Sequence, residues 1–135
     1  MMYKIKTKAK KYWKPTLVEE VHKATEWAVQ HLELYISPVP IQIKLCGPTT
    51  TFGDCVDLDH KIVIRLFSSP EWLGTLFHEL VHARQYLYGD LQLEFDHAYW
   101  RGHLYSRSAF EYMDEPWEVE AREIESKMCK KFLDF

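Results

Sequence analysis

Residues 75–86 read TLFHELVHARQY, with histidines at 78 and 82 and a glutamate at 79. Residues four apart on an α-helix lie one above the other on one face, so both imidazoles can reach one metal ion. Zinc accepts neutral imidazole, and a catalytic zinc site keeps one coordination position for water. Glu79 follows His78 by about 100° round the helix, which brings its carboxylate near that water without making it a ligand. A water activated by the metal, with glutamate as general base, attacks a carbonyl; that chemistry is the reason for His-Glu-x-x-His spacing. The plainer reading is an amphipathic helix whose histidines are ordinary partnered polar residues. A largely apolar helix weakens it, because two histidines and a glutamate are costly to bury without partners.

A third ligand has to come from elsewhere, and the last helical segment offers Glu118 and Glu120. Its apolar stripe, Trp117, Ala121, Ile124, Met128 and Phe132, centres midway between them. Residues two apart point about 200° apart round a helix, so only one can face the metal, and helical geometry leaves both open. His97 and His103 are weaker ligand candidates. Tyr112, Tyr105 and His103 are candidate donors to the oxyanion of a tetrahedral intermediate. His22, His31 and His60 read as surface or turn residues.

The elements that would position these residues are legible by period and punctuation. Leu17, Val21, Ala24, Ala28, Leu32 and Tyr35 recur at helical spacing, so a first helix is expected over 16–35. Thr16 and Glu19 form its capping box, and SPVP at 37–40 stops it. IQIKLC at 41–46 alternates with period two, and DCVDLDHKIVIRLF at 54–67 reads as two strands joined near Asp59 and His60. A short antiparallel β-meander follows from these three. Ser69, Pro70 and Glu71 then open the metal helix, which runs to about Tyr88 and ends at Gly89. AYWRGHLYS at 98–106 forms either a hairpin or an extended loop across the site. The last helix runs from Pro116 to Leu133.

The 135 residues suit one α+β domain over 15–135, preceded by an arm at 1–14. That arm holds six of the 17 basic residues and none of the 20 acidic ones. With Tyr3, Tyr12 and Trp13 interleaved it could touch nucleic acid, but a solvated terminus is the simpler expectation. The acidic remainder argues against nucleic acid as the main ligand. Three cysteines, Cys46, Cys55 and Cys129, form no CxxC pair. They suit a reducing, cytoplasmic setting as small buried residues. No stretch approaches the roughly 20 apolar residues of a membrane span, and the lysine-interrupted N-terminus lacks a signal peptide's apolar core.

Taken together, FHELVHARQYLYG, YWRG and YMDEPWEVEAREIE resemble the small single-domain zincin-like metallopeptidases of phages and bacteria, in their gluzincin form. The resemblance covers roughly residues 60–130. It implies a minimal zincin-like fold: an N-terminal helix, a short meander, a central HExxH helix and a C-terminal ligand helix. It implies one Zn²⁺ per chain held by His78, His82 and a glutamate, with Glu79 as general base. Gluzincin ligand helices commonly set that glutamate three residues before a small one; Ala121 is the small residue, which selects Glu118, with Glu120 as alternative. The strand before the metal helix would pair with an extended polypeptide substrate through Ile62, Val63, Ile64 and Arg65. The chain departs from the gluzincin pattern at Arg122, where an aspartate often supports a ligand histidine. The implied activity is peptide-bond hydrolysis. A zinc-bearing binding or regulatory module built like a peptidase is the alternative, which the retained Glu79 disfavours.

Overall fold

In the computed structural model, which describes residues 3–134, period-two segments assemble into one sheet. β1 (Tyr3–Thr7), β2 (Ile41–Cys46), β3 (Gly53–Asp57) and β4 (Ile62–Phe67) lie in the order β1-β2-β4-β3. Ile5, Ile43 and Ile64 stand side by side in register, as do Thr7, Leu45 and Leu66. The isoleucines and leucines of β2 and β4 are fully buried against α1 (Pro15–His31), α2 (Trp72–Leu87) and α3 (Pro116–Leu133). The chain is α+β, as expected. Among the described residues no helix is long and apolar enough to cross a membrane.

Three expectations need correction. The basic segment is not a solvated arm, because residues 3–7 form β1, parallel to β2. Tyr3, Ile5 and Thr7 turn inward while Lys4 and Lys6 stay exposed, so the alternating lysines mark a half-buried strand. Trp13 is buried, and its indole N–H donates to the Cys46 carbonyl at 2.7 Å.

The sheet is also not an antiparallel meander. β2 and β4 are parallel neighbours, and β3 lies outside β4, antiparallel to it. β4 buries Val63 and Phe67 as well as Ile62, Ile64 and Leu66, so it takes an interior place. β3, with Gly53, Asp54 and Asp57, takes the edge.

Helix α1 starts at Pro15 with Lys14 before it and no side-chain cap, so the Thr16–Glu19 box does not form. It ends at His31, where Glu33 adopts the left-handed φ of 56° that leads into a short turn at Leu34–Ile36. By contrast, Gly89 follows α2 with a φ of 76°, the conformation that stops a helix at glycine. The span of α3 matches its sequence punctuation.

AYWRGHLYS resolves to a hairpin. β5 (Leu91–Leu93), β6 (His97–Trp100) and β7 (His103–Ser106) make a second, antiparallel sheet. The turn residues Arg101 and Gly102 both have positive φ, 51° and 83°, as a two-residue turn matched to strand twist requires. Leu91, Ala98, Trp100 and Trp117 form a small core of their own beneath this sheet, tying it to the start of α3.

Candidate metal centre

Helix α2 buries Leu76, Phe77, Leu80 and Ala83 completely, which fixes its rotation about its axis. His78 and His82 then lie toward α3, their ring centroids 4.9 Å apart and nearly perpendicular. Ala121 of α3 is fully buried in the same core as Leu76, Phe77, Leu80 and Ala83 of α2. Glu118, in the first turn of α3, spans both histidines. Its Oε1 is 2.9 Å from His78 Nε2 and its Oε2 is 2.8 Å from His82 Nε2. The three residues present ligand atoms within 4.8 Å of one another, a group that could hold a metal ion. Glu120 points elsewhere: it accepts a hydrogen bond from Gln85 Nε2 at 3.1 Å and pairs with Arg101.

Second contacts set the histidine tautomers. Gln85 Nε2 donates to the Trp117 carbonyl at 3.0 Å and to Glu120, so Gln85 Oε1 must be the atom facing His82 Nδ1 at 2.7 Å. His82 therefore carries hydrogen on Nδ1, and in its neutral form the Nε2 lone pair points at Glu118. His78 Nδ1 donates likewise to Glu125 Oε1 at 2.9 Å. Metal-ligating histidines are oriented by such outer bonds.

The donor set fits a cation. His82 Nε2 is buried and, 2.8 Å from Glu118 Oε2, is left without a well-formed hydrogen bond among the described residues. A buried nitrogen left in that state is costly, and a metal ligated by its lone pair removes the cost. The protons tell a similar story. Burial opposes charge on His78, but the bonds to Glu118 and Glu125 outweigh it and push its pKa up to about 10. Burial also opposes the Glu118 carboxylate, yet His78 and His82 hold it down to about 2. A proton on His78 thus occupies electrostatically the position that a cation would take.

Glu79 lies on the neighbouring face of α2, 7% exposed, in a cavity of about 140 Å³ shared with His82, Glu118 and Tyr112. Burial raises its carboxyl to about 7, against the pull of His82 and His78. Gly53 of β3 allows this crowding. A Cβ there would lie 2.6 Å from Thr75 Cγ2 and 2.8 Å from the Arg65 carbonyl, with Glu79 Cγ at 3.6 Å. Only glycine lets β3 pass so near α2 beside Glu79.

Of the candidate oxyanion donors, Tyr112 lines the cavity. Partial burial, then the charges of Glu118 and Glu79, hold its phenol above the ordinary range. His103 does not reach it: it sits exposed beside the β6–β7 turn, opposite Trp100. Tyr105 packs on the small second core and against Phe110, and His97 pairs with Asp96. The expected substrate-pairing strand is also displaced. Ile62, Val63, Ile64 and Arg65 belong to β4, which is hydrogen-bonded to β2 on one side and β3 on the other, so no backbone edge is free. The edge next to the cavity belongs to β3, through Gly53, Asp54 and Cys55.

Sequence reading missed Glu125, Gln85 and Tyr86. Glu125 follows Glu118 by seven residues, two helical turns, and so shares its face; that spacing was the available signal. Arg122 bonds the Met113 carbonyl and does not reach the histidines. No known protein family, curated protein or solved structure matches the chain.

Proposed function

We propose that the chain is a zinc-dependent metallopeptidase that hydrolyses polypeptides bound in extended form. The observation that carries this reading is the convergence of His78, His82 and Glu118 on one another, with His82 and Glu118 sharing a cavity with Glu79 beside an unpaired strand edge. Two neutral imidazoles and one carboxylate form a donor set typical of catalytic zinc. Zinc held there supplies Lewis acidity, bringing the pKa of a water toward about 7 and polarising a carbonyl.

The chain's own residues do the rest. Gln85 and Glu125 hold the two imidazoles with their Nε2 atoms facing inward. Glu79 takes the proton of the attacking water on its carboxylate and returns it to the departing amine nitrogen. Tyr112 donates its O–H to the oxygen on which charge develops. The free edge of β3 aligns an extended substrate through backbone hydrogen bonds, which tolerate many sequences.

The test is metal analysis of protein purified without added zinc, followed by hydrolysis of casein, an unstructured protein, with and without chelator. One zinc per chain and chelator-sensitive release of peptides are expected. Protein that binds no metal overturns the proposal, whereas bound zinc without hydrolysis moves the chain to a binding or regulatory module.

A further inference from the structure

The metal cavity does not end at Tyr112 and Glu118. On the side of Cys55, Tyr86 and Leu93 it continues into a groove of about 610 Å³. β3 and β5 both line this groove, and each is an edge strand, β3 of the four-stranded sheet and β5 of the three-stranded one. Two edge strands lining one channel suit an extended chain held along both sides.

The groove also has a sign. Asp57, Asp59 and Glu94 lie along it, all exposed, and none forms an ion pair among the described residues. No lysine or arginine lines it. The remaining acid of β3, Asp54, lines the adjoining cavity and is paired with Arg65. The negative field reaches the floor as well. Burial first, then Glu79, Asp54 and Asp57, raise the Cys55 thiol well above its usual range. Burial, followed by charges that include Asp57, Glu118 and Glu79, does the same to the Tyr86 phenol. Unpaired acids along a channel whose floor is also negative favour a cationic occupant.

We infer that the groove between β3 and β5 binds the part of the substrate on one side of the cleaved bond and selects lysine or arginine side chains there, through Asp57, Asp59 and Glu94. The inference rests on the peptidase reading for the word substrate, but binding tests it separately from hydrolysis.

The protein carries Glu79→Gln to prevent turnover, and the probes are short labelled peptides of alanine with either lysine or glutamate at alternate positions. Fluorescence anisotropy should show the lysine peptide binding at least about tenfold more tightly, a gap of roughly 1.4 kcal/mol. The preference should shrink as salt is added. The combined variant Asp57→Asn, Asp59→Asn, Glu94→Gln should lose most of it, with metal content and melting temperature unchanged as a control on folding. Equal binding of the two peptides, or a preference that survives in the combined variant, overturns the inference. Casein hydrolysis by the parent protein decides the peptidase reading independently. Chelator-sensitive cleavage with no preference for basic peptides would therefore remove the selectivity and leave the activity standing.

Discussion

Glu125 Oε1 lies 2.9 Å from His78 Nδ1, on the face of α3 that also carries Glu118 two turns earlier. One helix thereby supplies both the carboxylate that faces His78 Nε2 and the carboxylate that orients the ring through Nδ1. Gly74 leaves the space, since a Cβ at that position would meet Glu125 Oε2 at 2.8 Å.

Loss of this support should weaken the metal site without abolishing it. Glu125→Ala is expected to lower metal affinity by about 10–100-fold, while Glu125→Gln keeps an acceptor oxygen and retains most of it. Gly74→Ala, by displacing the same carboxylate, should fall between the parent and Glu125→Ala. Competition against a chromophoric chelator measures all three, and parent-like affinity in Glu125→Ala would contradict the role.

Glu118 and Glu120 should separate cleanly. Glu118→Ala removes the residue that faces both histidines and should strip metal under mild dialysis against chelator. Glu120→Ala removes a partner of Gln85 and Arg101 only, so metal stays bound with a modest loss in affinity. Loss of metal in the second variant alone would reverse the assignment.

Glu79→Gln keeps the shape of the side chain and removes the base. Metal content should be unchanged, while peptide hydrolysis falls by roughly 10²–10⁴-fold. Turnover equal to that of the parent would show that the proton goes elsewhere.

The metal-free protein should respond to pH in a defined direction. The pKa of His78 rises from 6.5 to about 10 on folding, so its contribution to stability is complete below 6.5 and disappears as pH rises through about 10. That of Glu118 falls from 4.5 to about 2, so its contribution is complete above 4.5 and is lost as pH drops through about 2. Glu79, raised from 4.5 to about 7, costs stability as pH climbs through that interval. Melting temperature in chelator should therefore peak in the mildly acidic range and decline above it. Metal binding must displace the His78 proton, so at pH 8 it should release protons, measurable by calorimetry in buffers of different ionisation enthalpy. A melting temperature that climbs steadily from pH 6 to 9 in chelator would contradict this account.

Local pattern was sufficient for some of this protein. The spacing of His78, Glu79 and His82 is a property of one helix, so sequence alone put them on one side of α2. Proline and glycine punctuation likewise marked the start of α3 at Pro116 and the end of α2 at Gly89, because those residues act on their own backbone. The choice between Glu118 and Glu120 was different. On α3 they are equivalent by stripe geometry, and only the packing of α3 on α2 turns one toward the histidines and the other toward Gln85. Strand order was hidden for the same reason. Period two told β2 which face to bury, but it told none of the strands which neighbours to take. Hydrogen bonding to residues distant in the chain put β4 inside and left β3 at the edge beside the cavity. The alternating lysines of β1 read as a tail until β2 offered them an edge. Burial of a side chain is written locally, whereas its partner is decided by whatever the rest of the chain brings within a few ångströms.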